Sequence, residues 1–305
     1  MAVPTFDERV TASLAALSPA EQRVARFFQE NREQVLVASA AELAASAGTS
    51  DATIVRTTKA IGYAGLDELR RRLAAELRQS LSPASRLVRT LAEVGGDPQS
   101  AFERTLDTHT HSIASLRRDI GPALFKAAID CLLAARRVFI FGIGPSSALA
   151  DYFAIQLKRF GLASGTLHHT GLLLADDLQQ VARGDAVVLL AYSRVYAELD
   201  AVLERADRLG ISKILVTDTL GAALRGRVDL ILPVARGRAD SLSLHTATMA
   251  LIESLLVGLA ARRPAETVSS LELLNTLRSK IAGQDMTLPI SQEGRNTTRR
   301  PKRRR

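Results

Sequence analysis

The stretch from Ser39 to Gly65, SAAELAASAGTSDATIVRTTKAIGYAG, decides how the N-terminal part of the chain folds. It begins with a capping box, Ser39-Ala40-Ala41-Glu42, in which the serine and the glutamate each bind the other's backbone amide. An apolar stripe follows, and Gly48 can take the left-handed conformation that ends a helix. Because Ser50 can cap another helix directly afterwards, the stretch predicts two short helices around a glycine turn.

The second of these helices is expected to carry an outward polar face. Its predicted inward positions are Ile54, Thr58 and Ile61. The residues placed on the outward face, at three-residue steps, are Thr53, Arg56 and Lys59. In a helix-turn-helix the start of the second helix meets base edges, while amides and cations hold phosphates. The predicted DNA contacts are therefore Ser50, Asp51, Thr53, Arg56 and Lys59. The alternative is a surface helix whose cations are merely solvated.

The flanking sequence supports a compact helical module. Upstream, Ser18-Pro19-Ala20-Glu21 is another capping box with proline at the first helical position. Apolar residues at helical spacing follow it, namely Ala20, Val24, Phe27 and Phe28. Downstream, residues 67–81 read as a charged amphipathic helix.

Length and composition predict a second, larger domain. A chain of 305 residues exceeds what one hydrophobic core usually organises. It has 47% apolar residues and no apolar run near the ~20 residues that span a bilayer, so we expect a soluble, cytoplasmic protein with no membrane partner. The N-terminal segment lacks the features of a secretory signal. The single cysteine, Cys131, cannot form an internal disulfide and is expected to be a buried thiol.

The positive charge belongs mostly to the C-terminus. Of the formal net charge of +8, residues 295–305 contribute seven cations and no acid, which leaves +1 for the rest. Such a block is expected to be a disordered basic tail. An additional hypothesis is that this tail attracts DNA phosphates without sequence specificity.

The second half alternates strands and helices. A break at Gly95-Gly96-Asp97-Pro98 marks the segment from Pro83 to Gln99 as a linker, and helices are predicted over 100–118 and 122–135. Continuous apolar runs then predict buried strands at 137–142, 186–191, 213–217 and 229–234, with a weaker candidate at 165–169. The helices predicted between and after them cover 146–160, 172–182, 196–209 and 241–262. This alternation predicts a doubly wound parallel sheet of about five strands.

Three loops should meet at the carboxyl ends of these strands, where such sheets bind ligands. In the first, Gly142 and Gly144 allow close backbone approach, and Ser146 and Ser147 open a helix whose free amides attract an anion. The second contains Ser193 and Arg194, the latter able to bind phosphate or carboxylate in bidentate fashion. The third, 236–243, includes Arg236, Arg238 and Ser241 at the expected start of a long helix. Helix caps and solvated surface cations are the alternatives for all three loops.

The chain resembles the MurR/RpiR transcriptional regulators. The N-terminal motifs that carry this resemblance are LSPAEQRVARFF, AELAASAGTSDATIVR and KAIGYAGLDELRRRLA. Residues 125–262, from GIGPSSALADYFAIQLKRFG onward, resemble the sugar isomerase (SIS) domain that follows in that family. The resemblance implies an α plus α/β protein, a dimeric or tetrameric regulator of sugar catabolism with a phosphosugar effector. The corresponding domains are 1–80 (helix-turn-helix), 81–120 (linker and connecting helix), 121–283 (SIS-like) and 284–305 (tail).

This sequence keeps one of the family's two binding motifs more fully than the other. Its GxGxS pattern implies that Gly142, Gly144 and Ser146 hold the effector phosphate. Its second pattern, SxSGxT, keeps only Ser193, because Ala191, Arg194 and Tyr196 replace Ser, Gly and Thr. Losing two hydroxyls and gaining a guanidinium indicates a differently shaped or carboxylated ligand, so a sugar acid is considered beside a phosphosugar.

Two other functions were weighed. A sugar phosphate isomerase needs a general base, for which Glu253, His168, His169 and His245 are the candidates. An isomerase has no use for a DNA-binding module, however, and an effector domain needs no base, so we expect no enzymatic activity, cofactor or metal. A protein-interaction module without an effector is the third option, and dimerisation fits every hypothesis. The expected mechanism is linkage, in which effector binding changes operator affinity by favouring one subunit arrangement.

Overall fold

The computed structural model describes residues 4–80, 82–238 and 241–284. Of the predicted basic tail, 284–305, the residues from 285 onward lie outside the described residues. The N-terminal domain is helical throughout, consisting of α1 (Phe6–Ser13), α2 (Pro19–Glu30), α3 (Arg32–Val37), α4 (Ala40–Ser46), α5 (Asp51–Ala60) and α6 (Leu66–Ser80). A short 3₁₀ turn, Leu14–Ala16, follows α1. One apolar core joins these helices, with Phe6, Phe28, Leu43 and Ile54 fully buried in it.

Two helices connect the domains. They are α7 (Pro83–Val94) and α8 (Pro98–Asp119), and together we call them the linker hairpin. The predicted break is confirmed, because α7 ends at Gly95, which has a left-handed conformation, and Asp97 caps α8. The segment predicted as a linker from residue 83 begins with a helix, α7, that was not predicted. Ser82 caps α7 and Pro83 occupies its first turn, which are helix-start signals that the linker interpretation overlooked.

The C-terminal domain contains a five-stranded sheet. Its elements in chain order are α9 (Pro122–Ala134), β1 (Val138–Phe141), α10 (Pro145–Arg159), β2 (Ser164–Leu167), α11 (Leu174–Gln179), β3 (Ala186–Leu190), α12 (Ala197–Leu209), β4 (Ser212–Thr217), β5 (Leu230–Pro233), α13 (Thr246–Arg262) and α14 (Pro264–Ala282). A 3₁₀ turn, Gly171–Leu173, precedes α11. The strand order is β2-β1-β3-β4-β5 and every pair is parallel. The doubly wound α/β prediction is therefore confirmed.

The sheet is buried on both faces, as its continuous apolar strands predict. On one face Ile140, Val188 and Val216 pack with α9, α10 and α13. On the other face Phe139, Val187 and Leu215 pack with α11 and α12. The weak candidate near 165 is confirmed as β2, at the edge of the sheet.

One helix boundary differs from the prediction by five residues. The long helix α13 begins at Thr246 and not at 241, because the amides of Leu242 and Leu244 bind elsewhere, to Thr90 Oγ1 and to the carbonyl of Arg236. Cys131 is half-buried, and burial raises the pKa of its thiol. The helix α14 was not predicted.

The core of the sheet domain can be tested on α10. Phe153 is fully buried against the sheet, so Phe153→Ala should lower the free energy of unfolding by about 3–5 kcal/mol through lost burial and a residual cavity. Lys158→Ala on the same helix is the control, because Lys158 is exposed and its loss should change stability by less than about 0.5 kcal/mol. Urea denaturation of both variants measures the difference. Equal losses would contradict this packing.

Candidate functional site

The helix pair around Gly48 forms as the capping residues predict. Ser39 and Glu42 make both bonds of the capping box, at 2.7 and 3.2 Å. Gly48 has a φ of +61°, the left-handed conformation expected after α4. Ser50 Oγ accepts from the Thr53 amide at 3.3 Å and so begins α5. The two helices are thus set by local sequence and then fixed by burial of Leu43 and Ile54.

The exposed face of α5 differs from the predicted stripe. Thr53 is only 7% exposed, and its hydroxyl lies 3.0 Å from Ser50 Oγ, so its placement on the outward face was wrong. The reason is geometric, because three-residue steps rotate by about −60° each around an α-helix and the stripe rolls toward the core at one end. The residues of α5 that face solvent are Asp51, Ala52, Val55, Arg56, Lys59 and Ala60.

Arg56 is held on that face by the preceding helix. Its Nε donates to Glu21 Oε1 at 2.9 Å, although the Arg56 side chain is 64% exposed. Hydrogen bonds from Ser18, and then from Arg56, hold the pKa of the Glu21 carboxyl below its usual range. The capping glutamate of α2 therefore orients a cation of α5. Lys59 is exposed one turn further along.

The first loop of the sheet domain needs its glycines. A Cβ on Gly142 would lie 2.6 Å from the carbonyl oxygen of Ser146, and Gly144 has a φ of +58°. The backbone of residues 142–146 is tightly folded at the end of β1, and both positions require the small size or the conformational freedom of glycine. Ser146 is buried, while the hydroxyl of Ser147 donates to the Gly144 carbonyl at 2.8 Å.

Neither serine caps the helix that follows. The N-cap position of α10 is Gly144, and among the described residues no side-chain cap hydrogen bond is made there. Ser146 and Ser147 therefore do not act as helix caps, which was the alternative to a role in binding an anion. The start of α10 presents its amides without a side-chain cap, which is the arrangement that attracts an anion.

The second loop is held in an uncommon backbone conformation. Ser193 has a φ of +63°, and its Oγ accepts from Arg236 Nη2 at 2.9 Å. Arg194 is exposed, and its amide donates to the Tyr192 carbonyl at 2.7 Å. The hydroxyl of Ser193 is thus fixed by a buried cation.

A buried ion pair, which sequence reasoning missed, lies behind Ser193. The side chains of Arg236 and Asp218 are 10% and 1% exposed, and their closest atoms are 2.8 Å apart. The guanidinium also lies 4.1 Å from the centre of the Tyr192 ring. The alternative that Arg236 is a solvated surface charge is wrong. Its position shortly after an apolar strand was the one feature of the sequence that could have indicated its burial. Ser241, predicted at a helix start, lies five residues before α13.

The sheet order brings the first two loops together. Because β1 pairs with β3 in parallel, with Phe141 opposite Leu189, the loops that contain Ser146 and Ser193 leave neighbouring strands at the same edge. Asp218 follows β4 and Arg236 follows β5, so the ends of four adjacent strands contribute to this edge.

The candidate isomerase bases do not converge. His168 Nδ1 lies 3.2 Å from Asp151, and His169 Nδ1 lies 2.9 Å from Asp177 of α11. Glu253 is exposed on α13, on the opposite face of the sheet from α11, and accepts from the Tyr152 hydroxyl at 3.2 Å. These side chains therefore form local pairs and not one acid–base site.

His245 is half-buried next to Arg236. Its ring packs edge-on against Tyr192 with 5.2 Å between centroids, and its Nδ1 makes no hydrogen bond to any residue that the structure describes. Burial, reinforced by the Arg236 charge, lowers the pKa of His245 to about 4. The imidazole is therefore neutral near pH 7.

Two further features concern the described residues only. In 4–80, 82–238 and 241–284, histidine, cysteine and carboxylate side chains do not gather in groups of three or more suited to a metal ion. Over the same ranges, every helix is too short or too polar to cross a bilayer.

Family comparisons agree with this architecture. Residues 5–80 match the helix-turn-helix domain of the rpiR family, and residues 132–258 match the SIS domain. The chain belongs to the RpiR family of helix-turn-helix regulators. In this RpiR-type chain the matched segments cover the helical domain and most of the sheet domain.

Two curated relatives show how far the similarity extends. The HTH-type transcriptional regulator HexR of Pseudomonas aeruginosa is 28% identical over 261 residues, which cover 84% of this chain and 89% of HexR. The "Bifunctional protein glk" of Paraburkholderia xenovorans is 28% identical over 285 residues. Those residues are 91% of this chain but only 43% of the glk protein, so the chain spans less than half the length of that relative.

Solved structures share the fold. The NanR protein of Vibrio vulnificus, complexed with ManNAc-6P, is 20% identical with a TM-score of 0.54, covering 91% of this chain and 99% of its own. The sugar isomerase domain of an RpiR transcription factor from Sphaerobacter thermophilus is 21% identical, with a TM-score of 0.52 and coverage of 57% and 97%.

The low pKa of His245 predicts a pH dependence. The unfolded chain protonates this residue near pH 6.5, whereas the folded RpiR-type domain does not until about pH 4. Stability attributable to His245 is therefore complete above pH 6.5 and is lost as the pH falls toward 4. The thermal midpoint of His245→Gln should fall less between pH 7 and pH 5 than that of the wild type. His111→Gln, an exposed position on α8, should follow the wild type, and identical falls for all three proteins would refute the assignment.

Proposed function

We propose that this chain regulates transcription of carbohydrate catabolism genes by binding an operator through α5, with an affinity set by a phosphorylated sugar or sugar acid bound in the SIS domain. The observation that carries the proposal is the combination, in one chain, of an exposed cationic face on α5 with two polar loops on adjacent parallel strands. The proposed setting is the cytoplasm, and the proposed assembly is a homodimer or homotetramer.

The DNA part rests on the second helix of the pair. Asp51, Arg56 and Lys59 lie on its exposed face, and Ser50 stands at its start. In a helix-turn-helix this end of the second helix meets base edges and phosphates. Thr53 is retained as a residue that fixes Ser50 and not as a direct contact, because its hydroxyl is turned toward Ser50.

The effector part rests on the start of α10 and on Ser193. The uncapped first turn of α10, with Ser146 and Ser147 beside Gly142 and Gly144, suits a phosphate group. Ser193 on the neighbouring strand end offers a hydroxyl that Arg236 fixes. The NanR structure that shares this fold carries a sugar phosphate, ManNAc-6P, which supports the same ligand class here.

A sugar acid is retained beside a neutral phosphosugar. Arg194 is exposed at this loop and Arg236 lies behind it, so the site is more cationic than two serines alone would make it. A guanidinium can form two parallel hydrogen bonds to either a carboxylate or a phosphate. Comparing glucose 6-phosphate with 6-phosphogluconate separates the two ligand classes, because only 6-phosphogluconate carries a carboxylate at C1.

Subunit pairing has support on the surface of the linker hairpin. Large apolar side chains of α7 and α8 are between 41% and 66% exposed, namely Leu87, Val88, Leu91, Phe102, Leu106 and Ile113. An apolar face of this kind is typical of subunit contacts. A twofold arrangement would also present two recognition helices to one operator.

The DNA assignment predicts the effect of one substitution. Arg56→Ala should weaken binding to a duplex selected by the wild-type protein from a random pool by about 5- to 150-fold, because a direct contact contributes about 1–3 kcal/mol. Fluorescence anisotropy measures it. Arg183→Ala is the matched control, since it removes one exposed cation from the other domain. If the two variants bind the selected duplex equally well, α5 is not the recognition helix.

The effector assignment predicts the converse. Ser146→Ala and Ser193→Ala should each weaken a phosphosugar's binding by about 10- to 100-fold, as loss of a hydrogen bond to an anion costs about 1.5–3 kcal/mol, while DNA affinity without effector stays unchanged. Isothermal titration with glucose 6-phosphate and 6-phosphogluconate measures the first, and anisotropy the second. A wild-type protein that binds neither sugar nor any other phosphosugar of a panel would leave the SIS domain without its proposed role.

A further inference from the structure

The described residues between β5 and α13, 234–238 and 241–245, contact both the candidate effector loop and the linker hairpin. At its inner end Arg236 donates to Ser193 Oγ at 2.9 Å and pairs with Asp218. At its outer end three contacts reach α7, and Thr246 at the start of α13 adds one to α8. We call residues 234–238 and 241–245 the β5–α13 loop.

The inner contact determines what Ser193 can do. A hydroxyl has one hydrogen to donate and two lone pairs to accept with. Because Arg236 has no acceptor, its bond to Ser193 occupies a lone pair of Oγ and leaves the hydroxyl hydrogen free to point elsewhere. The left-handed backbone of Ser193 then fixes where Oγ stands. Ser193 is thus arranged to donate a hydrogen bond, and an anionic oxygen can accept it.

Burial makes this arrangement sensitive. The Arg236 guanidinium and the Asp218 carboxylate are nearly excluded from water, and a buried pair tolerates displacement poorly because each charge needs the other. An anion that arrives at Ser193 attracts the guanidinium in competition with Asp218. The balance of bonds on Arg236 therefore depends on whether the site is occupied.

The outer contacts fasten the same loop to α7. The Leu242 amide donates to Thr90 Oγ1 at 3.0 Å, and Arg86 Nη1 donates to Ser243 Oγ at 3.4 Å. Arg86 is itself buried. Two contacts of this kind on one face of α7 leave the helix little freedom to slide along the loop.

Glu93 and α8 complete the attachment. Glu93 lies 3.1 Å from Arg238 of the loop and 3.7 Å from Arg104 of α8, so its carboxylate bridges the loop and the hairpin. Thr246 Oγ1, at the start of α13, lies 3.2 Å from His109 Nε2 of α8. The linker hairpin leads directly to α6 and the DNA-binding domain.

We infer that Arg236 is a positioning residue for the effector, and that the β5–α13 loop carries the effect of binding from Ser193 to the linker hairpin. This inference rests on the proposed function and adds the residues that join its two halves. Thr90 and Glu93 are the outer attachments, and Arg236 is the inner one. Coupling in this form is a difference in free energy between sites, measured as the ratio of DNA affinities with and without effector.

The outer attachments give the sharpest test, because they touch neither ligand. The double variant Thr90→Val/Glu93→Gln removes the acceptor for the Leu242 amide and the charge opposite Arg238. We expect it to bind the selected duplex, and 6-phosphogluconate or glucose 6-phosphate, within about threefold of the wild type. The effector-dependent change in DNA affinity, for which 5- to 150-fold is typical, should fall below about twofold.

A matched control separates coupling from general damage to the hairpin. Glu103→Gln/Thr105→Val makes the same two chemical changes at exposed positions of α8, and it should keep the full effector-dependent change. Thermal midpoints of both double variants show whether each is folded. If Thr90→Val/Glu93→Gln is folded and responds to effector like the wild type, the inference is overturned.

Arg236→Lys tests the inner end. Lysine keeps the charge but not the planar fork that spans Ser193 and Asp218, so we expect weaker effector binding, by about tenfold, with unchanged affinity for DNA alone. Arg227→Lys, which alters a surface pair with Asp200, should behave as the wild type. Wild-type binding of Arg236→Lys to the effector would overturn the positioning role. A wild-type protein whose DNA affinity no phosphosugar changes would instead refute the proposed function itself.

Discussion

The parallel pairing of β1 with β3 is the constraint on which the rest of the C-terminal domain depends. It makes two loops that are about 50 residues apart in sequence leave the sheet side by side, since Phe141 stands opposite Leu189. Both strands are buried on both faces, so a shift in register would move a whole row of apolar side chains. The position of Ser146 relative to Ser193 is therefore as rigid as the core beneath them.

The polar edge of the sheet is built with a different kind of interaction. Arg236 and Asp218 form a pair with little access to water, and such a pair costs desolvation that hydrophobic residues in its place would avoid. Its geometry supplies specificity, because one guanidinium contacts Tyr192, Ser193 and Asp218 at the same time. The same loop also contacts Thr90 and Glu93 of α7, and these contacts connect the edge of the sheet to the linker hairpin.

The N-terminal domain depends on local signals to a greater degree. Three capping boxes, at Thr5, Ser18 and Ser39, set where helices begin before any tertiary contact forms. One of them has a second role, because Glu21 both completes its box and holds Arg56. A residue that starts one helix in this way orients the exposed side chain of another.

The sequence alone determined the class of each domain, the helix pair around Gly48, and the strands of the sheet, because capping, glycine turns and apolar runs act over a few residues. Only the tertiary structure decided that Thr53 turns inward, since a three-residue stripe does not stay on one face of an α-helix. It also decided that Arg236 is buried against Asp218 and that residues 241–245 are not helical. Those outcomes depend on partners between about 20 and 150 residues away, such as Asp218 and Thr90, which no local pattern can reveal.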